Sequence, residues 1–115
     1  LQIQGIPAIL WGSRSNRLYL YIHGQDGRKE EAEAFAHIAC HYAWQVLSID
    51  LPEHGERKRG ADSFDPWHVV PELLSVMEYI EGQWTHISLF ANSIGAWFSM
   101  LGFENEPLEK SLLFP

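Results

Sequence analysis

Cysteine is almost absent: Cys40 stands alone among 115 residues, which excludes an intrachain disulfide framework and any cysteine-rich zinc site. Positive charge is scarce as well. Eight Lys+Arg face 15 Asp+Glu, a formal net charge of −7 with histidine neutral, so there is no basic face of the kind that neutralises nucleic-acid phosphates. The one basic cluster, Arg57-Lys58-Arg59, follows Glu53 and Glu56 in the same stretch and reads as a solvated loop. Long apolar runs are missing: nothing approaches the roughly 20 residues that span a bilayer, and no signal-peptide pattern opens the chain. The expectation is a soluble, unexported protein, and the single cysteine fits a reducing cytoplasm. The chain begins at Leu1 rather than methionine, as a trimmed start would.

What is present is ordinary for a globular domain, with 46% hydrophobic and 20% charged residues, which excludes disorder and collagen-like repeats. A single domain of this size buries roughly 65% of its unfolded surface, enough for one core without staples.

Residues 1–10 alternate loosely around Gly5 and Pro7 and predict an antiparallel opening hairpin. Leu18-Tyr19-Leu20-Tyr21-Ile22 is then a continuous apolar run, ended by His23-Gly24, that reads as a strand buried on both faces. Over Lys29 to Trp44 the period changes: Ala32, Phe35, Ala36, Ala39 and Tyr42 form a helical stripe, with Glu30, Glu31 and Glu33 at the end the helix dipole favours. A second buried strand follows at Val46 to Leu51. Asp65-Pro66 pairs a capping acid with proline at the first helical position, ahead of the stripe Val69, Leu73, Val76, Met77, Ile80. Pro71 inside that stripe predicts a kink or a later start. His86 to Phe90 is a third strand, Ile94 to Leu101 a short helix, and Leu112-Leu113-Phe114 opens a fourth. Strands separated by helical crossovers predict an α/β fold with a mostly parallel sheet and helices on both faces. The ligand site of such a sheet lies at the carboxyl ends of its strands.

Three loops therefore matter. Ala91-Asn92-Ser93-Ile94-Gly95 lies between a strand and a helix as a relaxed nucleophile elbow, small-x-Ser-x-Gly. A serine on so sharp a turn needs small residues two positions either side, and the Ile94 amide then sits at a helix N-terminus, where it can stabilise an oxyanion. The relaxed pattern arises by chance in roughly one chain in five or six of this length, so its placement after a third βαβ strand carries the weight. A helix-capping serine is the plain alternative. In the first loop, His23-Gly24-Gln25-Asp26-Gly27, the Gln25 amide is the candidate second oxyanion donor, and His23 reads as a brace rather than a general base. In the second, Asp50-Leu51-Pro52-Glu53-His54-Gly55, too few ligands gather for a metal, and a rigid loop is the simpler reading. His37 and His41 lie four apart on a helix but on its polar flank. The tryptophans, Trp97 included, read as core. No glycine-rich fingerprint implies a cofactor.

Together these residues resemble the α/β-hydrolase family over nearly the whole chain. Tyr21-Ile22-His23-Gly24 looks like its oxyanion-loop strand, Ile49 to Gly55 like its D-x-P-x-x-G loop, and Ala91 to Gly95 like its elbow, with Ala91 where the family usually has glycine. The resemblance implies Ser93 as nucleophile, the Ile94 and Gln25 amides as oxyanion hole, a small acyl substrate, and an acid and a histidine later in the chain. No histidine follows His86, and Glu104, Glu106 and Glu109 read as solvated connection residues. It further implies that this is the N-terminal part of a longer serine hydrolase, with strands missing beyond Leu112-Leu113-Phe114 and an exposed edge there that invites self-association. Two rivals stand beside it. One is a non-catalytic binding or scaffold protein of the same fold; the other is a flavodoxin-like domain, for which no phosphate-cradling loop is found.

Overall fold

The computed structural model describes residues 1–114. β1 (Gln2–Ile3) and β2 (Ile6–Trp11) form the opening hairpin. Gln4 and Gly5 turn it with φ of 53° and 81°, the left-handed pair that matches a tight turn to strand twist. β2 does not turn back onto the next strand, β3 (Arg17–Ile22). It pairs antiparallel with β4 (Gln45–Ile49), which lies between them. From β4 onward the sheet is parallel, through β3 and β5 (His86–Asn92) to β6 (Lys110–Phe114), in the order β1-β2-β4-β3-β5-β6. The mixed, mostly parallel sheet is thus as expected, and the hairpin is confined to its first two strands.

The continuous apolar runs divide between two faces because side chains alternate along a strand. Leu18, Leu20 and Ile22 of β3 join the larger core cluster with α2 (Pro66–Glu81) and α3 (Ile94–Phe103). Tyr21 joins a smaller one with Ala36 and Ala39 of α1 (Glu33–His41), and Tyr19 packs against it. Helices therefore cover both faces.

Three elements correct the sequence reading. The expected helix from Lys29 to Trp44 is a 3-10 turn at Lys29–Ala32 followed by the shorter α1, because Lys29 is drawn inward by acids of the second loop. α2 starts at Pro66 and continues through Pro71, which overturns the later start; Asp65 accepts the His68 N–H at 2.9 Å, the expected cap. Finally, only Trp84 of the tryptophans is buried, bonded through Nε1–H to Gln45 Oε1 at 2.8 Å. Trp67 is 81% exposed and Trp97 49% exposed, since each occupies the outward side of its helix beside a buried neighbour, Val69 or Phe98. Met100 and Leu101 of α3 and Leu113 and Phe114 of the edge strand β6 are exposed as well. Among the described residues no helix is long and apolar enough to cross a membrane.

Candidate active site at the carboxyl ends of the parallel strands

β5 ends at Asn92 and α3 begins at Ile94, so one residue makes the whole turn. That residue, Ser93, has φ 54° and ψ −128° and is exposed, a conformation that costs a non-glycine residue about 1–3 kcal/mol. The turn is held on both sides. The Ser93 N–H donates to the Phe114 carbonyl at 2.6 Å, and the Ser93 carbonyl accepts from the Ala96 amide at 2.9 Å. The small residues are needed where the pattern put them. A Cβ on Gly95 would collide with the His23 carbonyl oxygen, and one on Gly24 would lie 2.8 Å from the Ser93 Cβ. The first loop and the elbow thus touch through glycines. Ala91, in the place of the usual glycine, is fully buried and its methyl lies within the larger core cluster.

Two backbone donors flank the serine. The Ile94 amide opens α3 and has no hydrogen-bond partner among the described residues, as befits the first turn of a helix. The Gln25 amide is likewise free among the described residues. Its direction is set by the Gly24 carbonyl, which accepts from His23 Nδ1–H at 2.7 Å and from the Gly27 amide at 3.1 Å. In a trans peptide the N–H points opposite to that carbonyl, so the Gln25 N–H is turned away from His23.

The loops are tied to each other by their histidines. His23 Nε2 accepts the Leu51 amide at 3.0 Å, and His54 Nε2 accepts the Asp26 amide at 3.0 Å. His54 Nδ1–H in turn donates to the Pro52 carbonyl at 2.9 Å. An Nε2 that accepts an N–H carries no proton, so both rings are neutral with the proton on Nδ1. Burial lowers the His23 pKa, with His54 adding to the effect while the Gly24 carbonyl and Asp50 oppose it. Neither ring has a free nitrogen to offer Ser93. His23 is a brace, as its place beside glycines suggested.

Beneath the histidines lies a buried ion pair that sequence reasoning missed. Lys29 Nζ sits 2.9 Å from Asp50 Oδ2, and also contacts Glu30 at 3.1 Å and Glu56 at 2.5 Å. The Asp50 carboxylate further accepts the amides of Lys29 (2.9 Å) and Glu56 (3.0 Å). Burial pushes Asp50 up, but the Lys29 ammonium and the two amides outweigh it and leave its pKa below the usual carboxylate value. A Cβ on Gly55, whose φ is 55°, would collide with that carboxylate. Arg57 corrects the expected solvated basic cluster: it grips Glu72 of α2 with both nitrogens, at 2.6 and 2.7 Å, and also donates to Asp62 at 3.1 Å and to the Asp50 carbonyl at 3.2 Å. Lys58 and Arg59 are exposed, as expected.

Between the first loop and the stretch from the second loop to Phe64 opens a cavity of about 360 Å³ lined by Gln25, Asp26, Gly27, Glu53, His54, Lys58 and Phe64. Asp26 and Glu53 both have left-handed backbones, with φ of 64° and 67°. The other candidates lie elsewhere. Glu104 and Glu109 are exposed between α3 and β6, and Glu109 reaches His86 at 3.1 Å, at the start of β5 rather than its end. His37 and His41 are exposed on α1.

The fold matches solved structures. Est1E from Butyrivibrio proteoclasticus, solved with ferulic acid bound, matches with a TM-score of 0.81 and 20% identity over 96% of this chain and 49% of its own. TT1662 from Thermus thermophilus matches with 0.79 and 24%, over 99% of this chain and 54% of its own. This chain has the α/β-hydrolase fold. An esterase from Exiguobacterium antarcticum shares the fold at a TM-score of 0.76 and 14% identity, over 96% of this chain and 42% of its own. The chain therefore spans about half the length of these structures. The sequence matches no protein-family model and no curated protein.

Proposed function

We propose that this chain is the N-terminal part of a serine hydrolase that cleaves a carboxylic ester or related acyl substrate. The observation that carries the reading is the pair of unspent amides, Gln25 and Ile94, on either side of an exposed serine at a strained elbow. In this role Ser93 Oγ attacks the acyl carbonyl carbon, its proton passing to a base. The carbonyl oxygen takes the negative charge and is met by the two N–H groups, which lower the barrier because they are already oriented. Collapse expels the alcohol with that proton and leaves an acyl-serine, which water then hydrolyses. The base and its supporting acid come from outside residues 1–115, because both nearby histidines are committed to backbone amides. The same fact favours a second reading, a non-catalytic binding protein of this fold.

The likeness to the Exiguobacterium antarcticum esterase and to Est1E, which binds ferulic acid, supports the first reading. Strands of the same polypeptide would cover β6 and the exposed face of α3; a second copy is the other occupant of that edge. A cytoplasmic location remains the expectation from the lone cysteine. The deciding experiment treats the full-length gene product with a fluorophosphonate probe. Labelling at Ser93, abolished by Ser93→Ala, is the expected result; a folded full-length protein without label at Ser93 is the binding protein.

A further inference from the structure

Resting on that reading of Ser93 and Gln25, we infer that His54 is a positioning residue: its imidazole fixes the peptide on the far side of Gln25 and so seats the oxyanion amide. Gln25 lies between two peptide planes. The first, Gly24–Gln25, is held at its carbonyl by His23 and Gly27. The second, Gln25–Asp26, is held at its N–H by His54 Nε2 at 3.0 Å, and among the described residues nothing else bonds that N–H. Asp26 needs the hold, since its φ of 64° is a conformation that a non-glycine residue leaves readily. His54 is itself rigid. Its other nitrogen donates to Pro52, its amide donates to the Leu51 carbonyl at 3.1 Å, and its ring packs between His23 and Phe64 at centroid distances of 5.0 and 4.3 Å. The residue touches no reacting atom. It works through the Asp26 amide alone, from the second loop to the first.

Removing the acceptor while keeping the ring volume, His54→Phe, leaves Asp26 free to relax and carries Gln25 with it. A misplacement on the order of 1 Å at a reacting group can lower rate about 100-fold. His54→Gln returns an acceptor oxygen at the position of Nε2. The test uses the full-length protein with two readouts: amide hydrogen exchange at Asp26 and the rate of fluorophosphonate labelling at Ser93, backed by kcat and KM on a short-chain ester. Expected for His54→Phe are exchange at Asp26 about tenfold or more faster, labelling and kcat lower by about ten- to a hundredfold, and KM little changed, with His54→Gln restoring all three towards the parent. Labelling at the parent rate in a folded His54→Phe variant overturns the inference and leaves the nucleophile intact. So does fast Asp26 exchange without loss of labelling, or lost labelling that His54→Gln fails to restore. An unlabelled Ser93 in the parent removes the reading on which the inference stands, and the inference with it.

Discussion

Lys29 and Asp50 meet at 2.9 Å with their side chains 5% and 0% exposed, joining the 3-10 turn after the first loop to the residue that follows β4. Desolvating two charges is costly, and the pair holds because each is bonded several times over: the carboxylate by two amides, the ammonium by Glu30 and Glu56. Removing Lys29 leaves the buried Asp50 carboxylate with its amides alone, and removing Asp50 leaves the ammonium to Glu30 and Glu56, so each loss falls towards the lower end of about 3–5 kcal/mol. Lys29→Met and Asp50→Asn should each destabilise by that order in urea unfolding. The double variant should lose less than the two losses added, and strict additivity would contradict the pairing.

The two small residues around Ser93 are predicted to differ in what replaces them. At Gly95 there is no room, since a methyl meets the His23 carbonyl, and Gly95→Ala should destabilise by about 1–3 kcal/mol through overpacking. At Ala91 the methyl is already part of the core, so Ala91→Gly should also destabilise, by about 1 kcal/mol, from lost burial and a looser strand. Thermal unfolding of both variants checks the pair. A gain in stability for Ala91→Gly would mean that the alanine is strained at this crossing.

One residue should be improvable. α1 ends with the Ala43 amide on the Cys40 carbonyl (3.2 Å) and the Trp44 amide on the Ala39 carbonyl (3.1 Å), with Ala43 at φ 66°. This is a Schellman closure, and its left-handed position usually holds glycine. Ala43→Gly should raise stability by roughly 1 kcal/mol, because the left-handed strain exceeds the added freedom of the unfolded chain. A lower midpoint in denaturant would count against that balance.

Much of this was legible before the structure because it depends on local pattern. The run Leu18 to Ile22 is apolar at every position and His86 to Phe90 at three of five, a density that suits strands between two helix layers. Asp65-Pro66 carries its cap in two residues. The elbow is legible because its constraint is steric and local, five residues long. What was not legible depends on distant partners. β2 passes over β3 to pair with β4, and no periodicity in residues 6–11 encodes which strand lies alongside. Lys29, followed by two glutamates, looks like a solvated helix start; only Asp50, 21 positions on, draws it inward. His54 resembles any loop histidine until its acceptor is seen on Asp26. Trp67 and Trp97 were misread for the opposite reason: size argues for burial, and the helix face overrules it.

The buried brace His23 should also make stability fall on the acid side. His23 is held neutral, and burial, the largest influence, lowers its pKa below the ordinary 6.5. In the unfolded chain it takes up a proton near 6.5, whereas the folded protein resists, because a proton on Nε2 would face the Leu51 N–H. The unfolded state then binds more protons, so this contribution is complete above 6.5 and is lost as pH falls from 6.5 through the lower folded value, at up to about 1.4 kcal/mol per pH unit. The groups facing the ring bear on the depth of the shift, Asp50 opposing it and His54 reinforcing it. Urea unfolding between pH 7.5 and 5.5 measures the slope, and His23→Gln, which keeps an acceptor but cannot titrate, should flatten it. A parent protein whose stability is level across that window would show that His23 takes up its proton as readily folded as unfolded.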